Sequence, residues 1–178
     1  IMLLTHGIDK DFFMCSDEKF ITTMDLTILF EPDYCTSLAG KPKFVLIQAC
    51  RAGGIDVVDT DTKKYFKAFD ASKTLSINKG KHFSISNKSE ILVFYAASPR
   101  CYAERDPLKG THLVVALCRA LNKNPYEDIT DIFLRVSREI SLKLSTIGQA
   151  PETVSTLTRK FRFKSPEDDS NATHSEKV

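Results

Sequence analysis

A thiol and an imidazole are the two groups in this sequence best equipped to do covalent chemistry together. Cys50 closes the apolar run Phe44-Val45-Leu46-Ile47, and His6 follows the apolar start Met2-Leu3-Leu4. In an open α/β sheet, the carboxyl ends of strands face the crevice where ligands bind. Two such ends side by side would set the Cys50 thiol against the His6 imidazole, and that pairing makes a thiolate nucleophile. Gly7 lets backbone come close, so its N–H and that of Cys50 could form an oxyanion hole. The other histidines are less suited: His82 falls in a polar stretch, His112 on a helix and His174 in the C-terminal tail. An isolated cysteine and histidine are more often ordinary core residues. The apolar strand, Gln48, Arg51 and Gly7 around this pair turn the reading toward chemistry.

The elements that must position these groups follow from apolar patterning. Residues 2–5 read as the tail of a buried strand. Phe12-Phe13-Met14 and Lys19-Phe20-Ile21, parted by Ser16-Asp17-Glu18, predict a small hairpin. Thr22 or Thr23 can cap a short helix running to Leu29 or Phe30. Lys41-Pro42 breaks the chain, and residues 43–48 then form a buried strand of the parallel type. Residues 54–89 are polar, with weak periodicity, and read as an exposed linker. Residues 91–97 form another buried strand. Gly110-Thr111 opens a helix with Leu113, Val114, Leu117, Cys118 and Leu121 on one face. A second helix follows Pro125, its stripe built from Ile129, Ile132, Phe133, Val136, Ile140 and Leu144. A last strand is expected within residues 154–163, and residues 165–178 read as a disordered tail. Strands alternating with helices give a layered α/β sheet.

Bulk properties narrow the function. The chain has 178 residues, 42% hydrophobic and 27% charged, with a net charge of only +2. That is one ordinary globular domain with no electrostatic case for nucleic acid or a membrane surface. No apolar run approaches the roughly 20 residues of a bilayer span. Five cysteines without a Cys-x-x-Cys pair argue against a disulfide framework or a zinc site. No metal or cofactor is expected, and the expected compartment is the reducing cytoplasm.

Gln48-Ala49-Cys50-Arg51, with His6-Gly7 upstream, resembles the signature of the caspases, cysteine proteases that cleave after aspartate. Further segments are similar to the same family: residues 35–43 to the entry into its nucleophile strand, residues 95–118 to the start of its small subunit, and Gln149-Ala150-Pro151-Glu152 onward to that subunit's end. The resemblance covers residues 1 to about 164. It implies a caspase-haemoglobinase-like three-layer sandwich with a mostly parallel central sheet and helices on both faces, incomplete on its N-terminal side. Residues 1–53 would be the end of a large subunit, 54–89 an intersubunit linker and 90–164 a small subunit. His6 and Cys50 would be the catalytic pair. Gln48 and Arg105 would hold the substrate aspartate, since a guanidinium fork suits a carboxylate. Ala103, Glu104 and Thr111 would line the pocket. Asp59 and Asp70, in the linker, resemble processing sites. The partners implied are protein substrates with aspartate at the cut, and a homodimer or a heterodimer with another caspase, joined through a final strand near residues 160–163. The role implied is apoptosis or related proteolytic signalling.

Several positions depart from the family pattern. Ala103-Glu104-Arg105 stands where the family has Ser-Trp-Arg, so a charged side chain replaces an apolar wall, and Glu104 could pair with Arg105. His112 replaces a second tryptophan, Arg100 a small residue and Ala52 a glycine. The sequence also opens at the His-Gly element, without the first strand, the long helix and the other pocket arginine. These differences leave a second reading, in which the chain is a catalytically impaired relative that binds and modulates an active caspase.

Overall fold

Two apolar runs form the centre of the molecule because every residue in them can be buried. A computed structural model describes residues 1–9, 11–52, 89–144 and 148–164. In chain order the strands and helices are β1 (Met2–Leu4), β2 (Gly7–Asp9), β3 (Phe12–Met14), β4 (Phe20–Thr22), α1 (Thr23–Ile28), β5 (Lys43–Gln48), β6 (Ile91–Tyr95), β7 (Arg105–Asp106), β8 (Gly110–Thr111), α2 (His112–Lys123), α3 (Ile129–Lys143) and β9 (Glu152–Ser155). The main sheet runs β1-β5-β6-β9. β1, β5 and β6 are parallel and β9 is antiparallel to β6. The alternation of side chains along a strand then decides what each face carries. Leu92, Phe94 and Ala96 pack against α2 and α3, through Leu113, Ala116 and Leu117 and through Ile129, Ile132, Phe133, Val136 and Ile140. The Phe94 and Phe133 rings stack with centroids 4.3 Å apart, a contact worth about 0.5–1.5 kcal/mol beyond its burial.

On the opposite face Val45, Ile47, Ala49, Val93 and Tyr95 pack with Phe13, Leu3 and Ile21. Phe13 and Ile21 belong to a small antiparallel sheet, β2-β3-β4. The hairpin expected at residues 12–21 is present as β3 and β4, and β2 joins it as a third strand. Thr22 caps α1 through a reciprocal box with Asp25, and the Tyr95 hydroxyl lies 2.9 Å from Thr23 Oγ1. The molecule therefore has three layers, with the parallel strands in the middle.

The end of the chain differs from expectation. The last strand is β9, at Glu152–Ser155, and residues 158–163 form no strand. The reason lies in the first turn of α3. Asp128 caps that helix, and its carboxylate also accepts the Phe161 N–H at 3.0 Å, while the Phe161 carbonyl accepts the Ile129 N–H at 2.8 Å. Backbone groups used this way are not free for a strand ladder. The Phe161 ring meets Phe44 at 4.8 Å. The predicted linker at residues 54–89, apart from residue 89, and the predicted tail lie outside the described residues.

Burial works against the Asp128 charge, but the hydrogen bonds from Thr130 and Phe161 outweigh it and hold this carboxyl below the usual range. Its contribution to stability is complete above the unfolded aspartate pKa of about 4 and fades as pH falls through the lower folded value. Asp128→Ala is expected to cost about 1–2 kcal/mol in urea unfolding at neutral pH. That difference should shrink in acid, and a difference unchanged by pH would refute the assignment.

Candidate active site

Thr5 donates its N–H to the Gln48 carbonyl at 3.1 Å, so β1 and β5 stay paired up to the turn that carries His6. The chain then bends into β2. A Cβ placed on Gly7 would lie 1.9 Å from the Cys50 carbonyl oxygen and 3.1 Å from its carbon. Only glycine permits that approach, which sets His6-Gly7 directly against Cys50. The His6 carbonyl accepts the Met14 N–H at 2.9 Å, fixing the turn from its other side. His6 itself is exposed and Cys50 half-buried.

The Cys50 thiol bonds with the backbone of Ala103 rather than with the imidazole. The Ala103 N–H donates to Sγ at 3.5 Å, and Sγ lies 3.8 Å from the Ala103 carbonyl. Residues 100–101 are stitched to the same strand end: Arg51 N–H donates to the Cys101 carbonyl at 3.0 Å and Arg100 N–H to that of Arg51 at 2.7 Å. Ala103 thus forms a wall directly over the sulfur. Catalytic hydrogen bonds are often loose without substrate and tighten on binding.

Gln48 is buried, and its Oε1 has no hydrogen-bond partner among the described residues. Arg105 is exposed on β7, opposite Thr111 of β8, and among the described residues no carboxylate pairs with it. The Thr111 hydroxyl caps α2, accepting the Val114 N–H at 3.4 Å. The expected Glu104–Arg105 pair does not form. The Glu104 carboxylate lies 3.3 Å from His112 Nε2 instead. Neighbouring residues in extended chain point to opposite sides, and the Glu104 N–H is held by Gln149 Oε1 at 2.9 Å. Asp59 and Asp70 lie outside the described residues, as do His82 and His174.

Three residues around the site had no role in the sequence reading. Gln149 is buried and spans the gap between the Ala96 carbonyl, 2.9 Å from its Nε2, and the wall at Glu104. Asp11 and Glu152 both pair with Arg51. No local pattern marks any of the three, since each partner is far away in sequence. The nearest thing to a signal is Arg51 itself, an arginine directly after an otherwise apolar buried strand and its cysteine. A separate groove of about 850 Å³ runs beside β1, lined by Leu3, Leu4, Met14 and Phe20 among others. Neither Cys50, Gln48 nor Arg105 lines it.

The family model described as Caspase domain matches residues 1–162. Among curated proteins, Caspase-8 of Mus musculus is 30% identical over 167 residues, covering 90% of this chain and 34% of its own length. Caspase-7 of Gallus gallus is 30% identical over 173 residues, covering 91% of this chain and 53% of its own. Caspase-3 of Bos taurus is 27% identical, covering 91% and 58%. The chain therefore spans about one third to three fifths of the length of these relatives. Among solved structures, Caspase-1 from Spodoptera frugiperda superposes with a TM-score of 0.67 at 22% identity, over 89% of this chain and 61% of that one.

The close approach at Gly7 is testable. Gly7→Ala must push two backbones apart, because the obstructing atoms are the Cys50 carbonyl. A loss of about 1–3 kcal/mol in urea unfolding is expected, the usual scale of overpacking. An unchanged midpoint would mean that the two strand ends are not this close.

Proposed function

Because the chain belongs to the caspase family, we propose that it forms the nucleophile-bearing part of a cysteine endopeptidase that cleaves after aspartate. The observation that carries this reading is the contact of Gly7 with the Cys50 carbonyl, which joins the histidine turn to the cysteine strand end. In the proposed mechanism His6 takes the proton of the Cys50 thiol, and the sulfur attacks the scissile carbonyl carbon. The N–H groups of Gly7 and Cys50 stabilise the oxyanion. His6 then gives its proton to the departing amine, and water releases the acyl group from Cys50.

The aspartate side chain would meet Arg105 and Gln48. Arg105 offers a guanidinium with no carboxylate partner among the described residues. Gln48 offers a buried carboxamide that can turn its N–H groups toward a carboxylate. Ala103 and Glu104 form the neighbouring wall, and Thr111 supports it from the cap of α2. Residues 1–53 and 90–164 would be the two subunits, separated by cuts after Asp59 or Asp70. Protein substrates, assembly into a dimer, a cytoplasmic location and a role in apoptosis complete the reading. Among the described residues no helix is long and apolar enough to cross a membrane.

One observation favours a second reading, in which the chain binds and modulates an active caspase without cleaving. The Glu104–His112 pair places a carboxylate beside the pocket meant for another carboxylate, and like charges at close range oppose binding.

A labelled peptide aldehyde ending in aspartate separates the two. Capture at Cys50, absent in Cys50→Ala and reduced about 10- to 100-fold in Arg105→Ala, is the expected result; that range is the scale of a lost charged hydrogen bond. A folded chain that captures nothing, yet changes the rate of an added active caspase, would overturn the protease reading in favour of the regulator. Incubation with an active caspase should also cut the chain after Asp59, and an uncut band would remove that processing site.

A further inference from the structure

Arg51 follows the candidate nucleophile and is buried among groups from three other parts of the chain. Its guanidinium donates to the Ala97 carbonyl at 3.2 Å, at the end of β6. It pairs with Glu152 of β9 and, at 3.1 Å, with Asp11 in the turn between β2 and β3. Its carbon sits 3.9 Å from the centre of the Tyr95 ring, whose phenol burial pushes up, so the ring stays neutral. Glu152, Ala97 and Tyr95 belong to the same sheet as Cys50. Asp11 does not: it belongs to the small sheet whose first strand begins at Gly7, directly after His6.

That difference gives Asp11 a particular task. β2 and β3 touch the Cys50 strand end at Gly7, where one backbone rests on another. Phe13 of β3, buried in one cluster with Val45 and Ile47, holds the middle of the hairpin to the sheet. The Asp11–Arg51 pair ties down the turn end, two residues beyond the Gly7–Phe13 pair and so farther along by about 7 Å at the usual strand rise. At the other end of the hairpin, beyond the Gly7–Phe13 pair, the Met14 N–H bonds the His6 carbonyl and the Thr5 hydroxyl bonds the Met14 carbonyl, at 2.9 and 2.5 Å. Tilting of the hairpin with its turn end released is passed to His6 through the Met14–His6 bond, and a shift near 1 Å can cost a reaction about 100-fold.

We infer that Asp11 is a positioning residue, which acts through Arg51 to hold the His6 turn in register with Cys50. The inference rests on the reading of His6 and Cys50 as base and nucleophile. Arg51 keeps Glu152 and the Ala97 carbonyl when Asp11 is removed, so the buried cation stays paired. The Asp11 side chain is 48% exposed, so its loss leaves no cavity in the core.

The test is the pH profile of Cys50 alkylation by iodoacetamide, read by mass on the tryptic fragment of residues 44–51, which contains no other cysteine. Wild type, His6→Ala, Asp11→Ala, Asp11→Glu and Glu152→Gln are compared, each checked for folding by urea unfolding. If His6 takes the proton of the Cys50 thiol, wild type is alkylated at lower pH than His6→Ala. Asp11→Ala should then move the midpoint most of the way to that of His6→Ala, lowering the rate at neutral pH by about 10-fold. Asp11→Glu should restore it in part, and Glu152→Gln, which leaves the Asp11 arm in place, should shift it less. A folded Asp11→Ala with the wild-type profile overturns the role of Asp11 and leaves the dyad standing. Wild type and His6→Ala with the same profile overturn the dyad, and this inference with it.

Discussion

A guanidinium buried in a protein interior must have its charge answered from all sides, and Arg51 imposes that demand at the most sensitive point of this fold. An unpaired buried charge would cost several kcal/mol, so the chain brings to it two carboxylates, a backbone carbonyl and an aromatic face. Those groups come from β9, the end of β6 and the β2–β3 turn. Meeting at one residue, they fix the relative positions of the ends of the sheet. Because Arg51 is next to Cys50, the residue after the thiol has little freedom, and its backbone N–H and carbonyl are spent on residues 100 and 101.

From that anchor the rest of the site follows outward. The pairing with residues 100–101 leads the chain over the sulfur, which is why Ala103 ends with its backbone on the thiol. Gln149 then catches the wall one residue later, through the Glu104 N–H, and secures it to the Ala96 carbonyl. With Glu104 directed to His112, the Arg105 side chain is left without a carboxylate among the described residues. The wall is thus polar and charged where the resemblance led one to expect apolar surface, and its charges are arranged so that the cation remains available.

Much of this was legible in the residues. β5 and β6 could be found because strands buried on both faces are apolar throughout, and α2 and α3 because their apolar residues recur at helical spacing. Cys50 and His6-Gly7 stood out by residue type at the ends of apolar runs. Of the two threonines offered as the cap of α1 the fold uses Thr22, and α2 opens after Gly110-Thr111 as expected. The misread parts share a cause. Residues 158–163 alternate like a strand, but Asp128 and Ile129 take the backbone of Phe161. By sequence Glu104 could pair with its neighbour Arg105, whereas the fold offers it His112 on the following helix.

By itself the sequence determined the kinds of elements, their order and the placing of a cysteine and a histidine at the ends of apolar runs, because these depend on periodicity and residue type within short stretches. Only the tertiary structure decided which groups meet: Gly7 with the Cys50 carbonyl, Arg51 with Asp11 and Glu152, Glu104 with His112, and Gln149 with the wall. Each of those contacts joins residues distant in the chain. Their strength comes from removing charge and backbone polarity from water, and no local pattern carries that information.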